Sequence, residues 1–225
     1  MDFELDYVHF PLKTSKKMSK NIEETFTEIY KNKFWDSKES VSGRGSEIEQ
    51  TKRIIIELPK LYDKFEIKSV LDIPCGDYHW MKYVDNNSVD YIGADIVEDL
   101  ILQNKKKFPD VYFKHLDLAS SPLPKVDLVI ARDIFVHMTY DMIEKCIANL
   151  IKSGSRYLLT TTFTSEPVNY DLEENGKWRP LNLLLPPFSY IPQYLINEDC
   201  TECDINQYVY TDKCLILFDL NKLRI

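Results

Sequence analysis

The sequence contains no run of about 20 consecutive apolar residues, so no membrane-spanning helix is expected. Its beginning, Met1-Asp2-Phe3-Glu4, lacks a basic flank leading into an apolar stretch, so no secretory signal is expected either. Both absences imply a cytoplasmic setting in which the five cysteines (Cys75, Cys146, Cys200, Cys203, Cys214) stay reduced. Positive charge is also scarce. Lysine and arginine number 28 against 36 acidic residues, a net charge of −8, which argues against a broad nucleic-acid footprint. The run Lys105-Lys106-Lys107 fits the C-terminal turn of a helix, where the dipole favours cations. Cys200-x-x-Cys203 has no second CxxC and no nearby histidine pair to complete a zinc site, so no metal is expected. Nor does a G-x-G-x-x-G turn follow the first predicted strand, which speaks against a dinucleotide-dependent oxidoreductase.

What is present is a globular composition, 44% hydrophobic with 12% aromatic residues, free of repeats and low-complexity tracts. Ser46-Glu47-Ile48-Glu49 reads as a capping box opening a helix, with Ile48, Ile55, Leu58 and Tyr62 on its apolar face. Pro59 is expected to kink that helix or end it early. From there strands and helices alternate. Strands are expected at Lys68–Ile73, Tyr91–Asp95, Val111–His115, Val126–Ala131 and Tyr157–Phe163. A short helix through Trp80 and Val84 follows the first strand, and longer ones are expected at Glu98–Phe108 and Asp141–Ile151. Such alternation predicts a parallel sheet covered by helices on both faces. The proline-rich stretch 164–200 breaks the rhythm, and Gln207–Tyr210 and Cys214–Phe218 then read as two strands of a hairpin.

Open α/β sheets bind ligands beyond the carboxyl ends of their strands. Here those ends carry Asp72, Asp95, Asp117 and the pair Arg132-Asp133. Gly76 lets the turn after the first strand approach a ligand closely. Asp95, 23 positions after Asp72, stands where a carboxylate accepts from both hydroxyls of a ribose. Asp117 is placed to accept from an adenine amino group, with Leu118 packed on the ring. Each aspartate alone is equally well a cap or turn residue; four suitable strand ends in order carry more weight.

At this point a resemblance can be named. Val70-Leu71-Asp72-Ile73-Pro74-Cys75-Gly76-Asp77-Tyr78-His79-Trp80-Met81 resembles the first motif of class I S-adenosylmethionine-dependent methyltransferases, although Pro74 and Tyr78 stand where the wider superfamily prefers glycines. Tyr91–Ile96 resembles the second motif and His115–Leu118 the third. Ala131–Met138, Leu158–Phe163, Trp178–Asn182 and, upstream, Glu39–Ser46 are similar to a bacterial subgroup associated with capsules and other surface polysaccharides, so the likeness spans roughly residues 34–220.

The resemblance implies a Rossmann-like class I methyltransferase fold: α/β, with a seven-stranded, mostly parallel sheet closed by a C-terminal antiparallel hairpin. It implies a cofactor-covering segment over residues 1–45 and a methyltransferase domain over 46–225, with a substrate-side insertion at about 164–200. The expected cofactor is S-adenosylmethionine, leaving as S-adenosylhomocysteine. Its expected contacts are Trp35, Ser42, Arg44, Gly45 and Ser46 from the cover, Asp72, Pro74, Gly76, Asp77 and Trp80 after the first strand, and Asp95, Ile96, Asp117, Leu118 and Arg132 beyond. Arg44 is a candidate partner for the methionine carboxylate.

The implied reaction is O-methylation of a sugar hydroxyl, on a nucleotide-linked or capsular sugar such as a heptose. Another small molecule or a protein as acceptor, or a non-catalytic cofactor-binding relative, stays open, as does a homodimer. Among four histidines only His137 falls just beyond the fourth strand, which makes it the candidate base; Asp133 is its orienting partner, a second base or a cation ligand. Thr162, Asn169, Trp178, Arg179 and Asn182 are the expected substrate-side residues.

Overall fold

The computed structural model describes residues 21–35, 37–201 and 208–223. Helix α1 (Ile22–Asn32) opens with a capping box in which Asn21 and Glu24 satisfy one another's backbone, and it buries Phe26 and Ile29. Helix α2 spans Ile48–Phe65. The alternation then runs β1 (Ser69–Asp72), β2 (Asp90–Asp95), α3 (Glu98–Lys107), β3 (Tyr112–His115), β4 (Leu128–Ala131), α4 (Tyr140–Ser153) and β5 (Tyr157–Phe163). Strands β6 (Pro192–Asn197) and β7 (Lys213–Asp219) complete a single sheet ordered β3-β2-β1-β4-β5-β7-β6. The first five strands are parallel, and β7 runs antiparallel to both β5 and β6. The chain reverses direction in strand order between β1 and β4, which is where sheets of this kind open a crevice at their carboxyl edge.

The apolar pattern accounts for the layers. β4 and β5 are buried along their whole length, as strands covered on both faces must be. Helix α2 covers one face through Ile54, Leu58, Leu61 and Tyr62, and α4 covers the other through Ile143, Cys146, Ile147 and Leu150. No helix among the described residues is long and apolar enough to cross a membrane, and no cluster of three metal-ligating side chains occurs among them.

Several local expectations are corrected. Pro59 neither ends nor shortens α2, which runs on to Phe65; its missing N–H is tolerated on a long helix anchored by four apolar contacts. Ser46 does not cap that helix: it lies in a 3-10 turn, Glu47 is the cap residue, and Glu39 Oε2 accepts the exposed N–H of Ile48 at 3.0 Å. The short helix after β1 is only a 3-10 turn over Met81–Tyr83. The hairpin partner of β7 is not the segment ending at Tyr210. Of that segment Gln207 lies outside the described residues, and Val209 makes only an isolated bridge. Strand β6 comes instead from inside the proline-rich stretch, where Pro192 is admissible because it opens an edge strand. Cys203 also lies outside the described residues, and Cys200 is buried.

Candidate active site

The turn after β1 brings the first strand-end residues together. Gly76 takes φ +54, and a Cβ there would overlap the Ser42 hydroxyl, so residue 76 must stay bare for the covering loop to settle on it. Its N–H donates to Asp95 Oδ2 at 3.2 Å, and its carbonyl accepts from the fully buried Asn104 of α3 at 2.7 Å. The second oxygen of Asp95 accepts from the N–H of Val97 at 3.0 Å. Burial raises the Asp95 carboxyl to about 6 against the pull of these N–H groups. Beside it Asp72 accepts from the Tyr91 hydroxyl at 2.7 Å, and burial raises it to about 7, with the Asp95 charge adding to the effect.

Trp35 and residues 37–46 lie across this turn. Asp77 accepts from the Ser40 hydroxyl at 2.8 Å and the Val41 N–H at 3.1 Å, which seats the loop. Glu39 reaches His79 at 3.3 Å. Gly43 turns at φ +91 with Trp35 directly against it, and Trp35 in turn lies 5.2 Å, ring to ring, from His137. Helix α1 is held by Glu23 to His115 at 3.3 Å and by close packing of Thr25 on Gly176. Trp35, Ser42, Gly45 and Ser46 are therefore brought to the same edge as Asp72, Gly76, Asp77 and Asp95, while Arg44 is exposed. Pro74 follows β1 in this turn, and the Ile96 carbonyl accepts from His115 at 2.8 Å. Asp117 spends both oxygens on its own turn, accepting from the Ala119 N–H at 2.8 Å and the Ser120 hydroxyl at 2.6 Å, and Leu118 is buried in the core.

His137 sits on a short 3-10 turn, Phe135–His137, after β4. Its Nδ1 lies 2.9 Å from the Lys177 carbonyl, which can only accept, so Nδ1 carries the proton and Nε2 keeps its lone pair. Burial lowers the imidazole to about 4, so the ring is neutral at pH 7. The orienting partner is thus a backbone carbonyl and not Asp133. That aspartate follows β4 in a left-handed turn, φ +54, and its side chain points into a cluster of ions. Arg132 meets Asp133 at 2.9 Å, Glu198 at 2.7 Å and the Gly45 carbonyl at 2.8 Å, and its guanidinium lies 5.7 Å from the Trp80 ring centroid. Lys213 meets Asp133 at 2.8 Å and Glu198 at 3.6 Å. Burial alone would push the Asp133 carboxyl up, but Arg132 and Lys213 override it and hold the group well below the usual carboxylate range. Arg132 is consequently an internal brace, with Trp80 buried beneath it, and neither is offered to a ligand.

The substrate-side expectations divide. Arg179 is fully buried, and its guanidinium donates to the carbonyls of Tyr170, Phe135 and Met138 at 2.9–3.0 Å. Asn182 donates to the Thr164 and Glu166 carbonyls, and Asn169 to those of Asn182 and Pro186. These three fold the 164–190 segment rather than face a substrate; a loop with little regular structure has its backbone groups satisfied by such side chains. Trp178 is 40% exposed and packs edge-on against Phe163 and Tyr210. Thr162 is fully buried, and among the described residues its hydroxyl has no hydrogen-bond partner. Asn104, Lys177, Glu198 and Lys213 were not singled out in the sequence. None lies in a recognisable motif, and Lys177 acts through its carbonyl, which side-chain identity does not report.

No protein-family model matches the chain, and no curated protein is significantly similar to it in sequence. Solved structures do resemble it. The 1,6-didemethyltoxoflavin-N1-methyltransferase of Burkholderia thailandensis, with its toxoflavin precursor and S-adenosylhomocysteine bound, superposes with a TM-score of 0.58 at 12% identity, covering 88% of this chain and 86% of that one. Magnesium protoporphyrin IX methyltransferase from Synechocystis, with S-adenosylmethionine bound, gives 0.57 at 13% identity over 91% of this chain and 99% of that one. An S-adenosylmethionine-dependent methyltransferase from Clostridium acetobutylicum gives 0.55 at 11% identity over 88% and 99%. The molecule therefore has the Rossmann-like fold of class I methyltransferases.

Proposed function

We propose that the protein is an S-adenosylmethionine-dependent methyltransferase that methylates a hydroxyl oxygen, with a sugar or sugar nucleotide as acceptor. The observation that carries this reading is the pair of buried carboxyls, Asp72 and Asp95, side by side at the carboxyl ends of the two strands flanking the Gly76 turn. Both are raised by burial, and the nearby cation Arg132 is committed to Asp133 and Glu198. A ligand rich in hydroxyl donors relieves that cost, which fits a ribose-bearing cofactor. Asp95 and Gly76 would hold it, with the Ser40–Ser46 loop as cover over it and Asp77 anchoring that loop. When bound, S-adenosylmethionine supplies a methyl group already electrophilic on its sulfonium.

The chain's own share is alignment and proton removal. Nε2 of His137 takes the proton of the acceptor hydroxyl, and the Lys177 carbonyl keeps the ring in the tautomer that allows it. Trp35 packs against that ring at 5.2 Å between centroids, tilted by 35°. Trp178, half in solvent beside Lys177, offers the apolar face on which a sugar ring packs. Burial keeps the His137 ring uncharged, while Asp133 favours and Arg179 and Lys213 oppose positive charge there. The test is to incubate the protein with methyl-labelled S-adenosylmethionine, a panel of UDP-, GDP- and ADP-linked sugars, and simple phenols and amines. Label on a sugar oxygen is expected. Label on phenols or amines and on none of the sugars contradicts the sugar-hydroxyl reading.

A further inference from the structure

Three buried charges and the half-buried Asp133, at the carboxyl end of β4, take no part in the proton transfer assigned to His137. Arg132 and Asp133 follow β4, Glu198 follows β6, and Lys213 opens β7, so the cluster ties three strands together. Its charges cancel: two cations meet two carboxylates. Such a cluster gives little stability for its cost in desolvation, so a role in fixing one conformation is the better account of it. The conformation it touches is unusual. Asp133 adopts the left-handed backbone region at φ +54, which a residue with a Cβ enters only when its surroundings enforce it. The enforcing contacts converge on this one residue. The Thr161 hydroxyl accepts the Asp133 N–H at 2.8 Å and donates to Oδ1 at 3.0 Å, while Oδ2 takes Lys213 at 2.8 Å and Arg132 at 2.9 Å.

We infer that Lys213 is a positioning residue for His137: by holding the Asp133 carboxylate from β7, it fixes the turn that carries the chain from β4 into the short helix bearing the histidine. The inference rests on the reading of His137 as proton acceptor. The charged groups facing His137 are Asp133 from its own turn, Arg179 from the 164–190 segment and Lys213 from β7, and the Lys177 carbonyl and Trp35 ring complete its surroundings. Lys213 acts on the imidazole in two ways with the same sign, as a cation in its own right and as the neutraliser of Asp133.

The test reads His137 directly, by NMR titration of its ring in otherwise unaltered protein, and needs no acceptor. The wild-type ring is expected to titrate near 4. Lys213→Met removes the ammonium and keeps the chain length; the midpoint should rise by about one pH unit or more. In an Asp133→Asn background the same change should move it by less than half as much, because the two residues act as a pair. Thr161→Val leaves all four charges in place and loosens the same turn, so it should change the fraction of ring carrying its proton on Nδ1. This second variant decides the matter should the lysine variant not fold. An unchanged His137 midpoint and tautomer in the folded variants overturns the positioning role. S-adenosylhomocysteine titrated into the same wild-type sample separates the two readings: no binding there contradicts the methyltransferase assignment, whatever His137 does.

Discussion

His137 illustrates what a residue's surroundings add to its identity. The sequence places it beyond the fourth strand; the structure adds a fixed tautomer and a ring held neutral down to about pH 4. His137→Ala should lower turnover by about a hundredfold or more while S-adenosylhomocysteine affinity stays within a few-fold. Full turnover in that variant contradicts the base assignment. Asp72 carries the opposite kind of perturbation. Its folded carboxyl is raised to about 7, above the unfolded value, so the folded state holds the extra proton. That stabilisation is complete below about pH 4 and is lost as pH rises through about 7. Asp72→Asn, which keeps an acceptor for Tyr91, should therefore match the wild type near pH 4 and exceed it at pH 8 by on the order of 2–4 kcal/mol. Denaturant unfolding at the two pH values measures this, and a variant less stable at pH 8 contradicts it. The placement of Asp72, Asp95 and Gly76 at strand ends and in the turn was legible because such folds end their strands in polar groups. Arg179 and Asn182 were misread because the same donors serve a substrate or a loop's own carbonyls equally well, and only burial tells the two apart.

At the scale of elements, periodicity found β1 to β5, α3 and α4 within a few residues, since each has an apolar pattern of its own. It failed where long-range pairing decides. Pro192–Asn197 has a proline at its head and four of its six residues exposed, and it is a strand only because β7 offers it an edge. Helix α1 was missed in a polar segment whose two buried side chains, Phe26 and Ile29, find their partners far along the chain. Helix α3 does more than cover the sheet: through Asn104 it grips the Gly76 carbonyl while Asp95 takes the N–H of the same residue. Asn104→Ala should cost about 1–2 kcal/mol of stability by thermal or denaturant unfolding. It should also weaken S-adenosylhomocysteine binding about tenfold, because the turn loses one of its two restraints. Unchanged affinity would confine Asn104 to a purely structural part.

For the whole molecule, the loop of residues 40–45 is joined to the sheet edge by hydrogen bonds to Asp77 and Arg132. Asp77 holds the loop, Arg132 holds Gly45, and Trp35 reaches His137, so the proposed cofactor and acceptor sides are linked through Trp35 and the loop that carries Ser40 and Gly45. The sequence displayed the motifs on both sides of this junction but not the contacts across it, since these join residues 87 apart for Arg132 and Gly45. The measurement that bears most directly on the central claim is calorimetric titration of the protein with S-adenosylhomocysteine, with NAD as control, from pH 5 to 8. On the proposed reading the cofactor binds the ionised Asp95, whose carboxyl is raised to about 6, so affinity should be level above pH 7 and fall about tenfold per unit below 6. Asp95→Ala should weaken binding at pH 7.5 and abolish the pH dependence. One-to-one binding with this profile and no response to NAD supports a methyltransferase; a well-folded protein that ignores S-adenosylhomocysteine at every pH contradicts the claim.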